Sequence, residues 1–277
     1  MRRKYLVCEL LCEITQTLTQ ANIERASREA QLLFMAFFQK DELWLISNQK
    51  SELAVPEQFF DWIMRRSKNE PFEYIVNRVS FYSEEFYIDE GALIPRPETE
   101  LLIDAVEKNV ADKDAKLTFV EVGVGSGIIS IILAKKFKNA KIIAVDISSK
   151  ALDVAQKNIE KFGFEERIEL REGSLLEPVS ENIDYLVSNP PYIAADAMLE
   201  SNLSYEPQNA LFGGSVGDEI IKELLDVALK RKIRFFSCEM GYDQKDKIQN
   251  YLKSKDFSSL EFYKDYSAFD RGFTLKV

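Results

Sequence analysis

An asparagine followed by two prolines and a tyrosine, Asn189-Pro190-Pro191-Tyr192, offers the parts needed to grip a planar NH2 group. The asparagine amide oxygen and a proline-locked carbonyl are two acceptors with no competing local donor. Tyr192 adds a flat face for packing against such a group. Directly ahead, the apolar run Asp184-Tyr185-Leu186-Val187-Ser188 reads as a short buried strand. The prolines end it, because proline lacks a ladder N–H and biases its predecessor toward extended backbone. The amide is therefore delivered to the carboxyl end of a strand, where ligands bind in open α/β sheets. An isolated N-P-P-Y is more simply a strand followed by a polar turn, and the upstream sequence reverses that preference.

Upstream, Leu117-Thr118-Phe119-Val120-Glu121-Val122 is a strand-like run that passes directly into Gly123-Val124-Gly125-Ser126-Gly127. Ile128 to Lys136 then has the look of a helix entered from a glycine turn. Strand, glycine loop and helix open a nucleotide-type α/β domain, where missing Cβ atoms let backbone approach a ligand. A second strand, Lys141 to Val145, ends in Asp146, 19 positions after Gly127 and placed to accept hydrogen bonds from ribose hydroxyls. The glycine spacing is G-x-G-x-G rather than the G-x-G-x-x-G of a dinucleotide site. Glu121, two positions before the first glycine, repels a pyrophosphate but suits the cationic amino end of S-adenosylmethionine. No G-x-x-x-x-G-K-[ST] phosphate loop is present.

Four blocks make the chain resemble the release factor glutamine methyltransferase family (PrmC/HemK) over nearly its whole length. They are Ile94-Pro95-Arg96-Pro97-Glu98-Thr99-Glu100, Glu121 to Gly127, Asn189 to Tyr192, and Glu206-Pro207 with Ala210-Leu211-Phe212-Gly213-Gly214. The first is the most specific, since N-P-P-Y recurs in several amino-methyltransferases. The resemblance implies S-adenosylmethionine-dependent methylation of a side-chain amide nitrogen, that of the glutamine in the Gly-Gly-Gln motif of peptide chain release factors. It implies Asn189, Pro190, Pro191 and Tyr192 as catalytic residues. The donor would lie against Glu121, Gly123, Val124, Gly125, Ser126, Gly127, Asp146, Leu175 and Asn189. The family's usual Asp is here Glu121, its usual glycine after Pro-x-x-Tyr-Ile-x is Asn77, and an often aromatic donor-pocket position falls near Leu175. Arg96 and Glu98 either face the substrate or form a structural salt bridge.

Composition narrows the chemistry. The chain has no histidine, which excludes a histidine general base, a Ser-His-Asp triad, a Cys-His dyad and imidazole metal ligands. Methyl transfer from a sulfonium survives that exclusion. Formal charge is −10, from 46 acidic against 36 basic residues, whereas duplex-binding enzymes carry a basic face. The compact basic groups, Met64 to Lys68 and Lys230 to Arg234, read as solvated helix ends. Cys8, Cys12 and Cys238 have no paired-ligand spacing, so no metal is expected, and Cys8 with Cys12 reads as a buried apolar pair. No apolar run reaches membrane-spanning length and no signal peptide is evident, so a cytoplasmic protein is expected.

With 277 residues, 46% hydrophobic, the chain is long enough for two domains. Residues 1–70 read as a small helical domain: Leu6, Val7, Leu10, Leu11, Ile14 and Leu18 recur at helical spacing, as do Ala26, Ala30, Leu33, Phe34 and Phe37. In the family such a domain helps dock the release factor, and a merely stabilising bundle is the plain alternative. Residues 71–92 read as a β-hairpin linker, with the hairpin over Val79 to Ile88. Residues 93–277 read as the catalytic domain, a class I Rossmann-like α/β fold with a seven-stranded, mostly parallel sheet and an antiparallel edge. Two other functions are open: a nucleic-acid amino-methyltransferase acting on adenine or guanine after base flipping, and a catalytically silent binding protein on the same fold.

Overall fold

The structure is a computed structural model that describes residues 3–198 and 201–277. The chain divides into two units, one comprising residues up to Arg78 with 201–205, the other running from Val79 and resuming at Glu206.

In the first unit the helical periodicity becomes α1 (Val7–Gln20), α2 (Ala26–Phe38), α3 (Glu42–Ser47), α4 (Glu57–Ser67) and α5 (Phe72–Val76). Val7, Leu10, Ile14 and Leu18 form the buried stripe of α1 and meet Leu33, Phe34, Phe59 and Ile63 in one core. Each large side chain buried there contributes roughly 1.5–3 kcal/mol. The periodicity does not reveal that β1 (Arg3–Leu6) pairs antiparallel with β2 (Glu52–Val55). Cys8 and Cys12 are exposed, contrary to the expected buried pair, because the stripe that starts at Val7 turns both thiols away from the core. The basic run Met64 to Lys68 is more than a solvated end: Arg65 pairs with Glu70, and Arg66 donates to Glu29 at 2.9 Å. Asn77 ends α5 with φ 52°, the left-handed turn asparagine tolerates well.

The boundary falls between Arg78 and Val79 rather than near residue 70. Ile75 of α5 belongs to the first core, whereas Phe81 and Phe86 of the hairpin β3 (Val79–Phe81) and β4 (Glu84–Phe86) are buried in the core beside the large sheet. Packing, not connectivity, makes the hairpin part of the second unit.

That unit starts, after the hairpin, with a 3-10 turn at Pro97–Thr99 that leads into α6 (Glu100–Asn109). It then alternates β5 (Thr118–Val122), α7 (Ile128–Lys136), β6 (Lys141–Asp146), α8 (Ser149–Phe162), β7 (Ile168–Glu172) and β8 (Tyr185–Ser188). It ends with α9 (Glu219–Lys230), β9 (Phe235–Glu239), α10 (Lys245–Leu252), β10 (Ser259–Lys264) and β11 (Asp270–Lys276). The strand order is β10-β11-β9-β8-β5-β6-β7. Strands β5 to β9 are parallel, and β11 and β10 add antiparallel pairs at one side. Helix α7 is buried from Ile128 to Ala134, as a helix apolar on every side must be. The carboxyl ends of the central strands thereby bring Gly123, Asp146, Asn189 and Glu239 to one rim.

Candidate active site

The rim opens on a cavity of about 220 Å³. One wall is the glycine loop and the end of β6; the other is the 91–99 segment, Asn189-Pro190-Pro191 and the Pro207–Ala210 turn. Two of the four sequence blocks, Glu121 to Gly127 and Asn189 to Tyr192, are thus largely cavity wall, joined by Pro95, Arg96 and Thr99 of the first block and by Pro207 and Ala210 of the fourth.

On the loop side, β5 ends and the backbone turns through Gly123 (φ 77°), Gly125 (φ 53°) and Gly127 (φ 82°). Gly127 does not line the cavity; a Cβ there would sit 3.3 Å from Ala155 Cα on α8, so this glycine lets helix and loop pack closely. Gly123, Val124, Gly125 and Ser126 do line it. The loop is tied on both flanks. Asp146 accepts from Gly125 N and Ser148 N, each at 2.9 Å, and buried Asn158 donates to the Ser126 carbonyl at 2.8 Å. Burial raises the Asp146 carboxyl above its ordinary range, opposed by those backbone donors. Leu175, in the left-handed region at φ 49°, adds an apolar contact to the wall.

Glu121 lies buried at the end of β5. Its Oε2 accepts from the Ser130 backbone N–H at 2.9 Å and from the Ser130 hydroxyl, which holds it to the first turn of α7. Its Oε1 has no hydrogen-bond partner, and the residue lines the cavity. Burial pushes its pKa up to about 8, with the nearby Asp146 charge adding to the rise. A buried acceptor oxygen without a donor is costly unless a ligand supplies one.

Across the cavity, Asn189 Nδ2 donates to Thr99 Oγ1 at 3.1 Å, so one end of the amide is occupied. Neither Asn189 Oδ1 nor the Pro190 carbonyl accepts a hydrogen bond among the described residues. Thr99 in turn donates to Glu239 Oε2 at 2.8 Å, and the Tyr192 hydroxyl donates to Glu239 Oε1 at 3.2 Å. Tyr192, expected to present its ring, is not part of the cavity wall; its ring packs on the core beneath the sheet. Burial lifts the Tyr192 hydroxyl well above its usual range, aided by the adjacent Glu239 charge. The segment is clamped from behind. Ile193 N donates to Leu211 O and Gly213 N to Ile193 O, and a Cβ on Gly213 would fall 2.3 Å from the Pro191 carbonyl oxygen.

Arg96 is a structural partner: its guanidinium donates to Glu206 Oε1 at 2.6 Å and to the Ile94 carbonyl at 2.9 Å, while Glu206 Oε2 accepts from Ile94 N. This pair joins the first and fourth sequence blocks. The sequence reading assigns Thr99 and Glu239 no individual role. The available signal was an acidic residue ending a strand-like run, the same placement that drew attention to Asp146.

Two family models match the chain, Methyltransferase small domain over residues 95–210 and PrmC N-terminal domain over residues 9–76. A release factor glutamine methyltransferase of Dictyoglomus turgidum is 36% identical over 270 residues, 95% of each chain. Those of Clostridium acetobutylicum and Bacillus subtilis are each 32% identical, over 95% and 96% of this chain. Among solved structures, the hMettl16 catalytic domain in complex with MAT2A 3′UTR hairpin 1 superposes with a TM-score of 0.60 over 79% of each chain at 15% identity, a likeness of fold.

Proposed function

Because this chain belongs to the release factor glutamine methyltransferase family, we propose that its cavity holds the glutamine side chain of a release factor Gly-Gly-Gln motif beside a methyl donor. The enzyme is a protein-glutamine methyltransferase that uses S-adenosylmethionine. Bound there, S-adenosylmethionine supplies a methyl group on a sulfonium sulfur, which leaves as a neutral thioether. The residues present fit it. Glu121 Oε1 is a buried acceptor in want of a cation, and Asp146 retains lone pairs for a ribose diol. Gly123, Val124, Gly125 and Ser126 form the surface against which the donor lies, and Leu175 gives its base an apolar contact.

The observation that carries the reading is the occupied Nδ2 of Asn189. With that end on Thr99, Oδ1 and the Pro190 carbonyl are left as paired acceptors on the cavity. An amide nitrogen is a poor nucleophile because its lone pair is delocalised into the carbonyl. Holding both N–H bonds in acceptors keeps the lone pair directed at the donor, so the gain comes from orientation and electrostatic complementarity. With the donor bound, Asn189 and Pro190 would hold that nitrogen facing the methyl group it accepts. The methylated nitrogen is then strongly acidic and releases its proton to water. Pro191 shapes the wall, and Tyr192 acts behind it.

We assign docking of the release factor to the helical unit, residues 1–70 of the sequence reading extended to Arg78. Its α3 leaves Leu43 and Ile46 exposed. Nucleic acid is not the substrate in this reading, since a net charge of −10 opposes phosphate backbones. The compartment follows from the substrate and is the cytoplasm. No helix among the described residues is long and apolar enough to cross a membrane. The test is label transfer from S-adenosylmethionine to unmethylated release factor, a glutamine-replaced control, DNA and ribosomal RNA. Label on the intact factor alone supports the reading, and label on nucleic acid alone overturns it.

A further inference from the structure

We propose that Glu239 is a positioning residue whose ionised carboxylate, acting through the Thr99 hydroxyl, fixes which end of the Asn189 amide faces the cavity. The inference rests on the reading that Asn189 grips the substrate amide. Asn189, Thr99 and Glu239 form a chain of two hydrogen bonds, 3.1 and 2.8 Å, and Thr99 and Glu239 are each only 2% exposed. The threonine hydroxyl has one proton. Given to Glu239 Oε2, that proton leaves Thr99 only lone pairs to offer Asn189, and a lone pair selects Nδ2. Oδ1 is thereby turned to the substrate, where an acceptor is needed.

Protonation of Glu239 reverses the chain. A carboxylic O–H donates to Thr99, the threonine proton is released toward Asn189, and the amide satisfies it by a half-turn that presents NH2 to the substrate NH2. Two donors then face each other and the grip is lost. Tyr192 holds the other oxygen of Glu239 and, as a donor, favours the carboxylate. The remaining charged or titratable neighbours are Arg271 on β11, which also favours the carboxylate, Glu98 within the 3-10 turn, which opposes it, and Cys238 and Tyr263, both buried and neutral. Burial is the largest influence and raises the Glu239 carboxyl to about 7. The ionised, competent form therefore prevails above that pH and is lost as pH falls through it.

The test is kcat for release factor methylation across the neutral range, at saturating donor so that titration of Glu121 does not enter. Wild type is expected to lose kcat on the acid side with a midpoint near 7. Glu239→Gln, whose carbonyl oxygen accepts from the Tyr192 hydroxyl and so leaves its NH2 to donate to Thr99 at every pH, is expected to lose about 100-fold in kcat and to lose the acid limb, with donor Kd within about threefold. Thr99→Val should fall alike, Thr99→Ser should recover most of that loss, and the double variant Thr99→Val/Glu239→Gln should be no worse than either. Wild-type kcat or a retained acid limb in Glu239→Gln overturns the inference, as do additive losses in the double variant. Asn189→Ala separates the two levels: if it is inactive while Glu239→Gln turns over normally, only the relay fails, and if Asn189→Ala itself turns over, the amide grip fails with it. Should Glu239→Gln not fold, the Thr99 pair decides by the same criterion, equal kcat in Val and Ser variants overturning the relay.

Discussion

The two walls of the cavity are built on opposite plans. The donor wall is nearly contiguous: Glu121 to Ser126 follow one another along the chain, and Asp146 reaches them from the next strand. Its shape is set by backbone conformation and by main-chain donors. The acceptor wall gathers Thr99 and Asn189 in front of Glu239, residues separated by 90 and 50 positions, and its geometry depends on side-chain hydrogen bonds between them. Substitutions on the donor wall should therefore act on donor affinity, and those on the acceptor wall on turnover.

Asn189→Ala is the severest test of that division. It should reduce kcat by about 10²–10³-fold, the scale of losing one fixed polar contact to the reacting group, and leave donor Kd within about threefold. Isothermal titration with S-adenosylmethionine alongside single-turnover methylation reads both, and equal losses in the two would erase the distinction. Gly213→Ala comes next. Its Cβ would meet backbone oxygens at 2.3 and 2.7 Å, so the clamp behind Pro191 must move. About 3 kcal/mol of stability should be lost in urea unfolding. Gly125→Ala, with nothing within 4 Å of the added Cβ, should cost only the left-handed strain of about 1 kcal/mol.

Asp146→Ala should weaken donor binding by about tenfold and leave kcat at saturating donor nearly intact, since it removes acceptors for the loop and the ribose together. A loss confined to kcat would move Asp146 out of the donor wall. A pH dependence probes the same wall. Burial raises Glu121 to about 8, so below that pH the carboxyl is protonated, and a cationic amine must displace the proton to bind. Donor affinity should therefore strengthen as pH rises from about 6 to 8, by up to about tenfold per unit, and level off above. Glu121→Gln should flatten that slope, and a slope unchanged in the variant would dissociate Glu121 from the donor's ammonium.

The difference between the walls also governs how much of each was legible. Gly123, Gly125, Asp146 and Asn189 line the cavity, where strand ends and glycine spacing predict a ligand rim, because a strand delivers its last residue to a known rim. The resemblance groups Gly127 with the ligand contacts, whereas the fold uses it to accommodate Ala155. Spacing marks where a side chain is missing but not which neighbour needs the room. The motif gives Tyr192 a face toward the ligand, yet its hydroxyl is drawn back to Glu239. The β1–β2 pair leaves no signal in the sequence because two four-residue strands nearly fifty positions apart carry no periodicity of their own.

By itself the sequence determined the family, the alternation of strands and helices, the exclusion of histidine chemistry and the strand end that carries Asn189. Those follow from local pattern and composition, which act over a few residues. Only the tertiary structure decided that Arg96 spends its charge on Glu206, that Thr99 and Glu239 stand behind Asn189, and that the hairpin from Val79 belongs with the large sheet. Hydrogen-bond partners remote in the chain become neighbours when burial withdraws water and each polar group must find another. That pairing depends on where folding brings the strand ends, which no local run of residues specifies.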